Sequence, residues 1–451
     1  MTPWSGRRLH FVGIGGAGMS GLALVAKQLG AEVSGSDRAE SSYSARLREA
    51  GIEPSIGHDA ANVPAGGEVI VSTAIPESNL ELARARELGL RVLHRGDLLA
   101  EAAALKKSIA VAGAHGKTTT TGMLTHVLRA TGRDPAFLIG GELREAHTNA
   151  SWGGGDWIVV EADESDRSFL KLSPDVAVIT NIELDHHTTY ASEAQLVAAF
   201  GDFAAKAGQV IAWENAPVET EARRFGIAAA TTGSDATAKV VSVAAEAVEL
   251  VPDGSRFRVG DAQVRLQVPG EHNVLNALAA LAAAEAAGVS LSDAASAIGD
   301  FSGTGRRFEA RGRTTGGALV YDDYAHHPTE VRATLEAART LGPKRVIAVF
   351  QPHLYSRTEH LAREFGRALA IADEVYVVDI YPAREQADDF PGVSGYIVAA
   401  AAAQAAGGRR VSWIPSMDEA AALLDGELHE GDVVLTLGAG NIDTVAGKLT
   451  A

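Results

Sequence analysis

The chain lacks cysteine altogether, since none occurs among its 451 residues. This absence excludes disulfides, thiolate-ligated zinc sites and covalent thioester chemistry, and it is typical of a cytoplasmic protein. The chain also has no apolar run near the roughly 20 residues that a membrane span requires, so we expect no membrane insertion. Its first residues lead at once into a strand-like segment, which predicts no cleavable export signal.

Positive charge is scarce as well. The sequence has 40 lysines and arginines against 57 aspartates and glutamates, and its formal net charge is −17 at pH 7. A nucleic-acid partner would need a basic face, so we expect none. What the chain does have is length, because 451 residues exceed what one hydrophobic core can hold and predict about three domains. The sequence leaves the oligomeric state open.

The segment SIAVAGAHGKTTTT, at positions 108–121, has the pattern of a phosphate-binding loop. An apolar strand breaks at Gly113, and a Gly-Lys-Thr sequence then opens a helix-like segment over residues 118–130. In such a turn the backbone N–H groups and the positive end of the helix dipole bind phosphate, while the lysine reaches the terminal phosphates. Thr118 would offer its hydroxyl to Mg²⁺. The longer form of the pattern is not met, because Val111 stands where its first glycine belongs. The shorter G-x-x-G-K-T-T still predicts a bound nucleoside triphosphate.

A second glycine-rich turn lies near the N-terminus, where Gly13, Gly15 and Gly18 follow an apolar strand at G-x-G-x-x-G spacing. Asp37 ends the next predicted strand, nineteen residues after Gly18. This is the dinucleotide-binding fingerprint, in which the acid hydrogen-bonds a ribose. It predicts a Rossmann-type domain and a nucleotide that carries a diphosphate, whose identity stays open. The alternative for Asp37 is a solvated acid at the end of a strand.

Two further pairs of residues lie where strands of the N-terminal region are predicted to end. Ser72 and Thr73 follow one strand, and His94 and Arg95 stand at a strand–helix junction. Ligands bind along this edge of parallel α/β sheets, so both pairs are candidates for nucleotide contact. A surface-charge role is the alternative for His94 and Arg95.

Acidic side chains follow two predicted strands that come after the phosphate-binding loop. Glu161 ends the first, within VVEADESD, and His186 follows the second, within NIELDHH. The carboxyl ends of parallel strands share one edge of a sheet, beside the phosphate-binding loop. Carboxylates there are the hard oxygen ligands that a Mg²⁺–phosphate complex needs, and His186 would be a softer ligand. The alternative for the acidic run is a solvated turn.

The rest of the chain adds polar side chains to the same site. Residues 228–268 alternate like short strands and predict a small antiparallel insertion. Asn273 is predicted to open an alanine-rich helix over residues 269–288, with Asn276 on the same face. An asparagine amide can pair with an adenine edge, and the alternative for Asn273 is a helix cap. The last third repeats strand–helix alternation, and we expect its polar side chains to converge on a shared cleft. These side chains and those of the preceding linker are Arg306, Arg307, Asp323, His326, His327, His353 and Arg357.

Together these motifs resemble, in order and spacing, those of the Mur ligases. The segments that carry the resemblance are HFVGIGGAGMSGLA, GAHGKTTTT, VVEADESD, NIELDHHTTY, EHNVLNALAA, GRRFE, YDDYAHHPTE, FQPHLYSRT and LTLGAGNI. The resemblance spans nearly the whole chain and implies an α/β fold of three domains. These would be an N-terminal Rossmann-like domain for a UDP-sugar (1–105), a central P-loop ATPase-type domain for ATP (106–310) and a C-terminal Rossmann-like domain for an amino acid (311–451).

The resemblance also implies an activity, the ATP-dependent joining of L-alanine to the carboxylate of UDP-N-acetylmuramate through an acyl phosphate. Mg²⁺ or Mn²⁺ is the implied cofactor. The residues agree with this chemistry, because a carboxylate needs a leaving group before it can form an amide, and phosphorylation is the simplest route without cysteine. A lysine that reaches the β- and γ-phosphates suits γ-phosphoryl transfer better than adenylation.

The motifs and the resemblance together assign roles to particular residues. For ATP they are Gly113, Ala114, His115, Gly116, Lys117, Thr118, Thr119, Asn273, Asn276, Arg307 and Asp323. For the UDP-sugar they are Gly15, Gly16, Ala17, Gly18, Met19, Ser20, Asp37, Ser72, Thr73, His94 and Arg95. For the metal they are Thr118, Glu161 and His186, and for the carboxylate of the amino acid they are His353 and Arg357. Those assigned to catalysis are Lys117, His186, Arg307, His326 and His327.

Five positions depart from the family pattern, and three alternative functions stay open. Ala114 and Ala325 are small changes, whereas His187 and Thr188 argue against a metal role beyond His186. Leu354 stands where an arginine is common, so Arg357 would carry more of the amino-acid contact. The near alternative is a sibling ligase that adds another amino acid or a recycled tripeptide. The distant ones are a nicotinamide-dependent oxidoreductase, which leaves GKTTTT without a role, and a non-catalytic nucleotide-binding regulator.

Overall fold

The computed structural model describes residues 2–186, 189–228 and 241–450. Strands and helices alternate along these residues, which confirms the predicted α/β class. None of the described helices combines the length and the apolar character needed to cross a membrane. The chain divides into two compact units. The first unit comprises Met1–Glu246, Arg258–Val264 and Leu275–Phe301, and the second comprises Ala247–Phe257, Arg265–Val274 and Ser302–Ala451.

The first unit begins with a sheet of five parallel strands in the order β3-β2-β1-β4-β5. Its elements are β1 Arg8–Val12, α1 Ala17–Gln28, β2 Glu32–Asp37, α2 Ser44–Glu49, β3 Ser55–Ile56, β4 Glu68–Val71, α3 Leu80–Glu87, β5 Arg91–His94 and α4 Arg95–Ala103. This order reverses between β1 and β4, which is where open α/β sheets form a ligand crevice at their carboxyl edge. The glycine turn after β1, Asp37 at the end of β2 and Ser72 after β4 therefore share that edge.

The next sheet along the chain has ten strands in the order β15-β14-β13-β12-β11-β10-β6-β9-β7-β8. Its elements are β6 Lys107–Ala112, α5 Lys117–Ala130, β7 Ala136–Leu143, β8 Thr148–Ser151, β9 Trp157–Glu161, β10 Val176–Ile179, α6 Glu193–Ala205, β11 Gln209–Trp213, β12 Arg223–Ile227, β13 Val241–Val251, β14 Gly254–Val259, β15 Ala262–Leu266, α7 Glu271–Ala286 and α8 Leu291–Ala297. Strand β6 is parallel to both of its neighbours, β9 and β10. The phosphate-binding loop after β6 thus lies between the two strand ends that carry acidic residues.

Two details of this region differ from the sequence prediction. Helix α7 begins at Glu271, so Asn273 lies inside its first turn and does not open the helix. The short strands predicted within 228–268 are present as β13, β14 and β15, and they continue the edge of the large sheet. Residues 229–240 of that stretch, as well as His187 and Thr188, lie outside the described residues.

The second unit contains a six-stranded sheet in the order β16-β17-β21-β18-β19-β20, antiparallel only at β16. Its elements are β16 Glu309–Arg313, β17 Leu319–Asp323, α9 Pro328–Thr340, β18 Arg345–Phe350, α10 Tyr355–Leu369, β19 Glu374–Val377, α11 Gly395–Ala405, β20 Arg410–Trp413, α12 Met417–Asp425, β21 Asp432–Leu437 and α13 Asp443–Leu449. Buried apolar clusters cover both faces of this sheet. Because β17, β21 and β18 are adjacent, the residues that follow them meet at one edge.

Candidate active site

The phosphate-binding loop is built around two glycines that no other residue could replace without strain. Gly113 has φ +142°, and a Cβ on it would lie 2.0 Å from Thr180 Oγ1. Gly116 has φ +80° directly before α5, and a Cβ there would lie 2.3 Å from Asn276 Oδ1. Side chains are disfavoured by both the backbone conformation and the space. Every residue of α5 from Thr118 to Leu128 is buried, so the core holds the N-terminus of this helix in place.

Lys117 lies folded over this loop. Its Nζ donates to the carbonyl oxygens of Gly113 at 2.6 Å and Ala114 at 3.2 Å, and to Glu164 Oε1 at 3.0 Å. Burial acts to lower the pKa of Lys117, but attraction to Glu164, Asp163 and Glu161 outweighs it and raises that pKa above its usual value. The lysine is therefore held as a cation at the N-terminus of α5.

Glu164 is the site residue that the sequence reasoning did not single out. It is only 1% exposed. Its carboxylate pairs with Lys117 Nζ at 2.9 Å and lies 3.4 Å from His186 Nε2. The available signal was the third acid of VVEADESD, from which only Glu161 was assigned a role. Glu164 thus places His186 and Lys117 around one buried charge.

Glu161 and Thr118 bring oxygen ligands together at the start of α5. Thr118 Oγ1 donates to Glu161 Oε1 at 3.1 Å, and the N–H of Gly140 donates to Glu161 Oε2 at 2.7 Å. A carboxylate beside a hydroxyl suits a hard cation such as Mg²⁺, which binds proteins through one or two carboxylates and completes its shell with phosphate and water. The donor set at this point therefore fits the implied metal.

His115 and Asn276 complete the surroundings of the loop, and Thr119 is buried in the first turn of α5. The N–H of His115 donates to Asn181 Oδ1 at 2.9 Å, and its ring Nε2 lies 3.0 Å from Glu183 Oε2. Asn276 accepts from Thr120 Oγ1 at 3.2 Å. The structure therefore brings Asn276 to the loop, whereas the amide of Asn273 donates to Pro269 O at 2.7 Å, beside the start of its own helix.

The glycine turn of the first sheet is tied to Asp37. The N–H of Gly15 donates to Asp37 Oδ2 at 2.8 Å. Gly16 immediately precedes α1, and Ala17 O accepts from Ser20 Oγ at 3.0 Å. Met19 and Ser20 are buried in α1. Within this group the backbone N–H groups and Asp37, not the side chains of α1, are therefore suited to contact a nucleotide.

His94 and Arg95 both have partners within the protein. His94 Nδ1 accepts from the N–H of Gly96 at 3.1 Å, which caps α4, and burial lowers the pKa of His94. Arg95 forms ion pairs with Asp163 and, at 2.9 Å, with Asp166. A Cβ on Gly18 would lie 2.9 Å from Arg95 Nη1, so the guanidinium lies beside the glycine turn. Ser72 and Thr73 lie just beyond β4, where Ser72 Oγ accepts from the N–H of Ala74 at 3.4 Å.

The second unit gathers a separate group of polar residues at the edge that follows β17. Asp323 accepts from the N–H groups of Phe308 and Ala325, both at 2.7 Å. Burial raises the pKa of Asp323 to about 6, with Arg307 acting in the opposite direction. Arg307 Nη1 donates to Glu330 Oε1 at 3.3 Å. A carboxyl group with a raised pKa therefore lies beside an arginine at one edge of the sheet.

Three histidines and one arginine of the second unit lie at the same edge of its sheet. His327 caps α9 by accepting from the N–H of Thr329 at 3.4 Å. The rings of His326 and His353 meet edge to face with centroids 6.0 Å apart. Arg357 Nη1 lies 3.2 Å from His353 Nδ1. The two residues predicted to bind an amino acid are thus in contact, with His326 beside them.

A phosphate-binding loop, an acidic strand edge and a dinucleotide-type glycine turn, all on α/β sheets, define the class of three-domain nucleotide-dependent enzymes. Family models agree with this class along the chain. The Mur ligase catalytic domain matches residues 8–107, the Mur ligase middle domain matches 111–284, and the Mur ligase glutamate ligase domain matches 306–440. The chain belongs to the Mur ligase family, whose members are ATP-dependent ligases.

Individual relatives and solved structures show which members of the family the chain is similar to. The chain is 46% identical to UDP-N-acetylmuramate–L-alanine ligase of Kineococcus radiotolerans, over 98% of this chain and 95% of the relative. It is 44% identical to the enzyme of that name from Acidithiobacillus ferrooxidans, over 98% and 97%. The UDP-N-acetylmuramate-alanine ligase of Thermotoga maritima has a similar structure, with TM-score 0.84, 30% identity and 98% of each chain covered. A murein peptide ligase of Psychrobacter arcticus gives TM-score 0.72 and 26% identity, again over 98% of each chain.

Proposed function

We propose that this chain forms the amide bond between L-alanine and the carboxylate of UDP-N-acetylmuramate and releases ADP and phosphate, as a step in peptidoglycan precursor synthesis. The observation that carries the proposal is the buried cation Lys117 at the N-terminus of α5, beside the Thr118–Glu161 pair. The names of the full-length relatives supply the substrates. The proposal includes the domain division 1–105, 106–310 and 311–451 and a cytoplasmic location.

The first step would transfer the γ-phosphoryl group. A carboxylate oxygen of the sugar forms a bond to the γ-phosphorus, the bond to the β–γ bridging oxygen breaks, and ADP leaves. Lys117 and the backbone N–H groups from Gly113 to Thr119 would neutralise the phosphate oxygens and hold them in line. Asn276 would contact ATP from α7, and Asn273 is assigned to ATP as well. His186, held by Glu164, would approach the same phosphates.

Mg²⁺ would be held by Glu161 and Thr118, whose oxygens fit it, and His186 is a further candidate ligand. When bound, the metal supplies charge neutralisation for the phosphate oxygens. The sugar nucleotide would lie on the carboxyl edge of the first sheet. There the N–H groups of the glycine turn face its diphosphate, while Asp37, Ser72, Thr73, His94 and Arg95 are the predicted side-chain contacts.

The second step would use the second unit. His353 and Arg357 would hold the carboxylate of L-alanine, so that its amine attacks the acyl phosphate and the tetrahedral intermediate expels phosphate. Arg307 and Asp323 would contact the nucleotide, and His326 or His327 the transferred phosphate. Each of these assignments follows from the match of local motifs and is tested by substitution.

The test is ADP release measured with UDP-N-acetylmuramate and, in turn, L-alanine, glycine, L-serine and the tripeptide. We expect L-alanine to give the highest kcat/KM, and a preference for the tripeptide would favour the sibling ligase instead. Lys117→Ala should lower kcat by about 10³-fold, since a positioned charge on the transferred group is removed. Lys107→Ala, at the start of β6, is the matched control and should retain wild-type activity. The absence of any stimulation by L-alanine would contradict the proposal.

A further inference from the structure

Glu81 of α3 is a buried carboxylate with none of the roles described above. It is 0% exposed, yet both of its oxygens have donors. Oε2 accepts from His10 Nε2 at 2.9 Å and from Ser36 Oγ at 2.7 Å. Oε1 accepts from Asn62 Nδ2 at 3.0 Å, while the remaining donors to it are the N–H of Asp59 and His58 Nδ1, at 3.2 and 3.3 Å. Its charge is thus fully enclosed by hydrogen bonds.

The hydrogen bonds keep Glu81 ionised. Burial acts to raise the pKa of Glu81, but the hydrogen bonds from His10, Asn62 and Ser36 outweigh it and lower that pKa to about 2. An ionised carboxylate only accepts, so His10 Nε2 must carry a proton. His10 Nδ1 can then accept from Ser34 Oγ at 2.9 Å. A neutral His10 with its proton on Nε2 therefore satisfies both Glu81 and Ser34.

Ser36 connects this group to the glycine turn. Its side chain donates to Glu81, while its backbone oxygen accepts from the N–H groups of Gly13 at 2.8 Å and Ile14 at 2.9 Å. The next residue, Asp37, accepts from the N–H of Gly15. One residue therefore separates the buried carboxylate from the backbone that forms the turn.

Glu81 also accepts hydrogen bonds from a second segment at the edge of the sheet where the strands end. His58, Asp59 and Asn62 belong to the loop that follows β3, and all three donate to Glu81. His58 Nδ1 lies 3.0 Å from Ser36 Oγ as well, which joins the loop to the end of β2. A buried charge is costly unless it is fully paired, so losing either oxygen as an acceptor would disturb the part of the edge that donates to it and, through the His58–Ser36 contact, the other part as well.

We propose that Glu81 is a positioning residue for the nucleotide site of the first domain, because it fixes Ser36, the glycine turn and the 57–62 loop in the geometry that receives a nucleoside diphosphate. This inference rests on the proposed function for the identity of the ligand, UDP-N-acetylmuramate. Glu81 itself would not touch the ligand. Its effect would be on affinity for the sugar nucleotide and not on ATP.

The test is calorimetric binding of UDP-N-acetylmuramate and, separately, of an ATP analogue to the full chain. Glu81→Gln places an amide N–H₂ against donors, and Ser36→Ala removes the link to the turn while leaving Glu81 in place. We expect both to raise the Kd for UDP-N-acetylmuramate by about tenfold and to leave the Kd for the ATP analogue unchanged. If Glu81→Gln fails to fold, Ser36→Ala alone decides the question.

Two controls separate positioning from general destabilisation. Ser34→Ala removes the hydrogen bond to His10, which lies on the side of the Glu81 group away from the turn. Val69→Ala opens a small cavity in the buried core of the same domain. Both should bind UDP-N-acetylmuramate like the wild type. Equal Kd values in all variants would overturn the inference, and so would equal losses in Ser36→Ala and Val69→Ala. If the wild type catalyses the reaction but the variants bind UDP-N-acetylmuramate as tightly as the wild type, only the inference about Glu81 is rejected. If the variants bind UDP-N-acetylmuramate more weakly but the wild type does not catalyse the reaction, only the proposed function is rejected.

Discussion

Asp323 shows at the scale of one residue how burial turns a carboxylate into a pH-sensitive group. It is 6% exposed, and burial raises its pKa from 3.8 to about 6 although Arg307 and two N–H donors act against the shift. The unfolded chain releases this proton near its ordinary pKa, while the folded chain keeps it until higher pH. Between those two values the folded state binds more protons, so folding stability falls as pH rises.

We therefore predict that Asp323→Asn changes the pH dependence of unfolding. Relative to the variant, the wild type should lose about 2 kcal/mol of unfolding free energy between pH 4 and pH 7. Urea unfolding of both proteins at each pH gives this difference, and any pH-independent cost of the substitution cancels. Asp373→Asn is the control, and its pH dependence should have the opposite sign. Burial acts to raise the pKa of Asp373, but hydrogen bonds from Arg339 and from the N–H of Val346 outweigh it and lower that pKa. A wild-type and Asp323→Asn difference that is constant with pH would contradict the prediction.

Residue types were easier to predict from the sequence than residue partners. Arg306 and Arg307 are adjacent and look alike in GRRFE, yet they differ in the fold. Arg306 donates to Asp322 at 2.9 Å and to the carbonyls of Gly438 and Gly440, both at 2.8 Å, so it fixes the turn after β21. Arg307 pairs with Glu330 on α9. Contacts between residues that are distant in the sequence have no local pattern, and Glu164, whose partner Lys117 lies 47 residues away, was for that reason not distinguished from its acidic neighbours.

Helix α5 shows what is predictable at the scale of an element. The strand, the glycine turn and the helix were predicted because each has a local physical cause, namely an apolar run, glycines that adopt positive φ, and apolar residues at helical spacing. The start of α7 was misplaced for an equally local reason. Asn273 has the side chain of a helix cap, but the helix begins at Glu271, directly after Gly270 with φ +98°. A residue that favours caps can therefore also be used inside the first turn.

The two ends of α5 offer a matched pair of substitutions. Gly116 and Gly132 have similar φ values of +80° and +74°, but a Cβ on Gly132 meets nothing within 4 Å, whereas one on Gly116 meets Asn276. We predict that Gly132→Ala costs about 1 kcal/mol of unfolding free energy and leaves the Kd for an ATP analogue unchanged. Gly116→Ala should raise that Kd about a hundredfold, because the loop must move as well. Calorimetric titration checks both, and equal Kd values in the two variants would refute the role given to Gly116.

At the scale of the whole molecule, the proposed catalytic groups are divided between the two compact units. Lys117 and Glu161 belong to the first, and Arg307, His326 and Arg357 belong to the second. Motif spacing predicts each group separately, since each lies at the end of its own strands. It does not predict how the groups come to act on one phosphoryl group, because that depends on the bound substrates and not on any local pattern.

In-line transfer requires reacting atoms within about 3.5 Å of each other, so we predict that bound substrates bring Arg307 and His326 towards Lys117. X-ray scattering should show a smaller radius of gyration when an ATP analogue and UDP-N-acetylmuramate are both present than in the free protein. Gly116→Ala is the control, since its weaker affinity should leave most of it without the analogue at the same ligand concentrations, so that its curve changes less than that of the wild type. An unchanged wild-type curve, at concentrations that calorimetry shows to be saturating, would mean that the units need no closure and that Arg307 and His326 act in some other way.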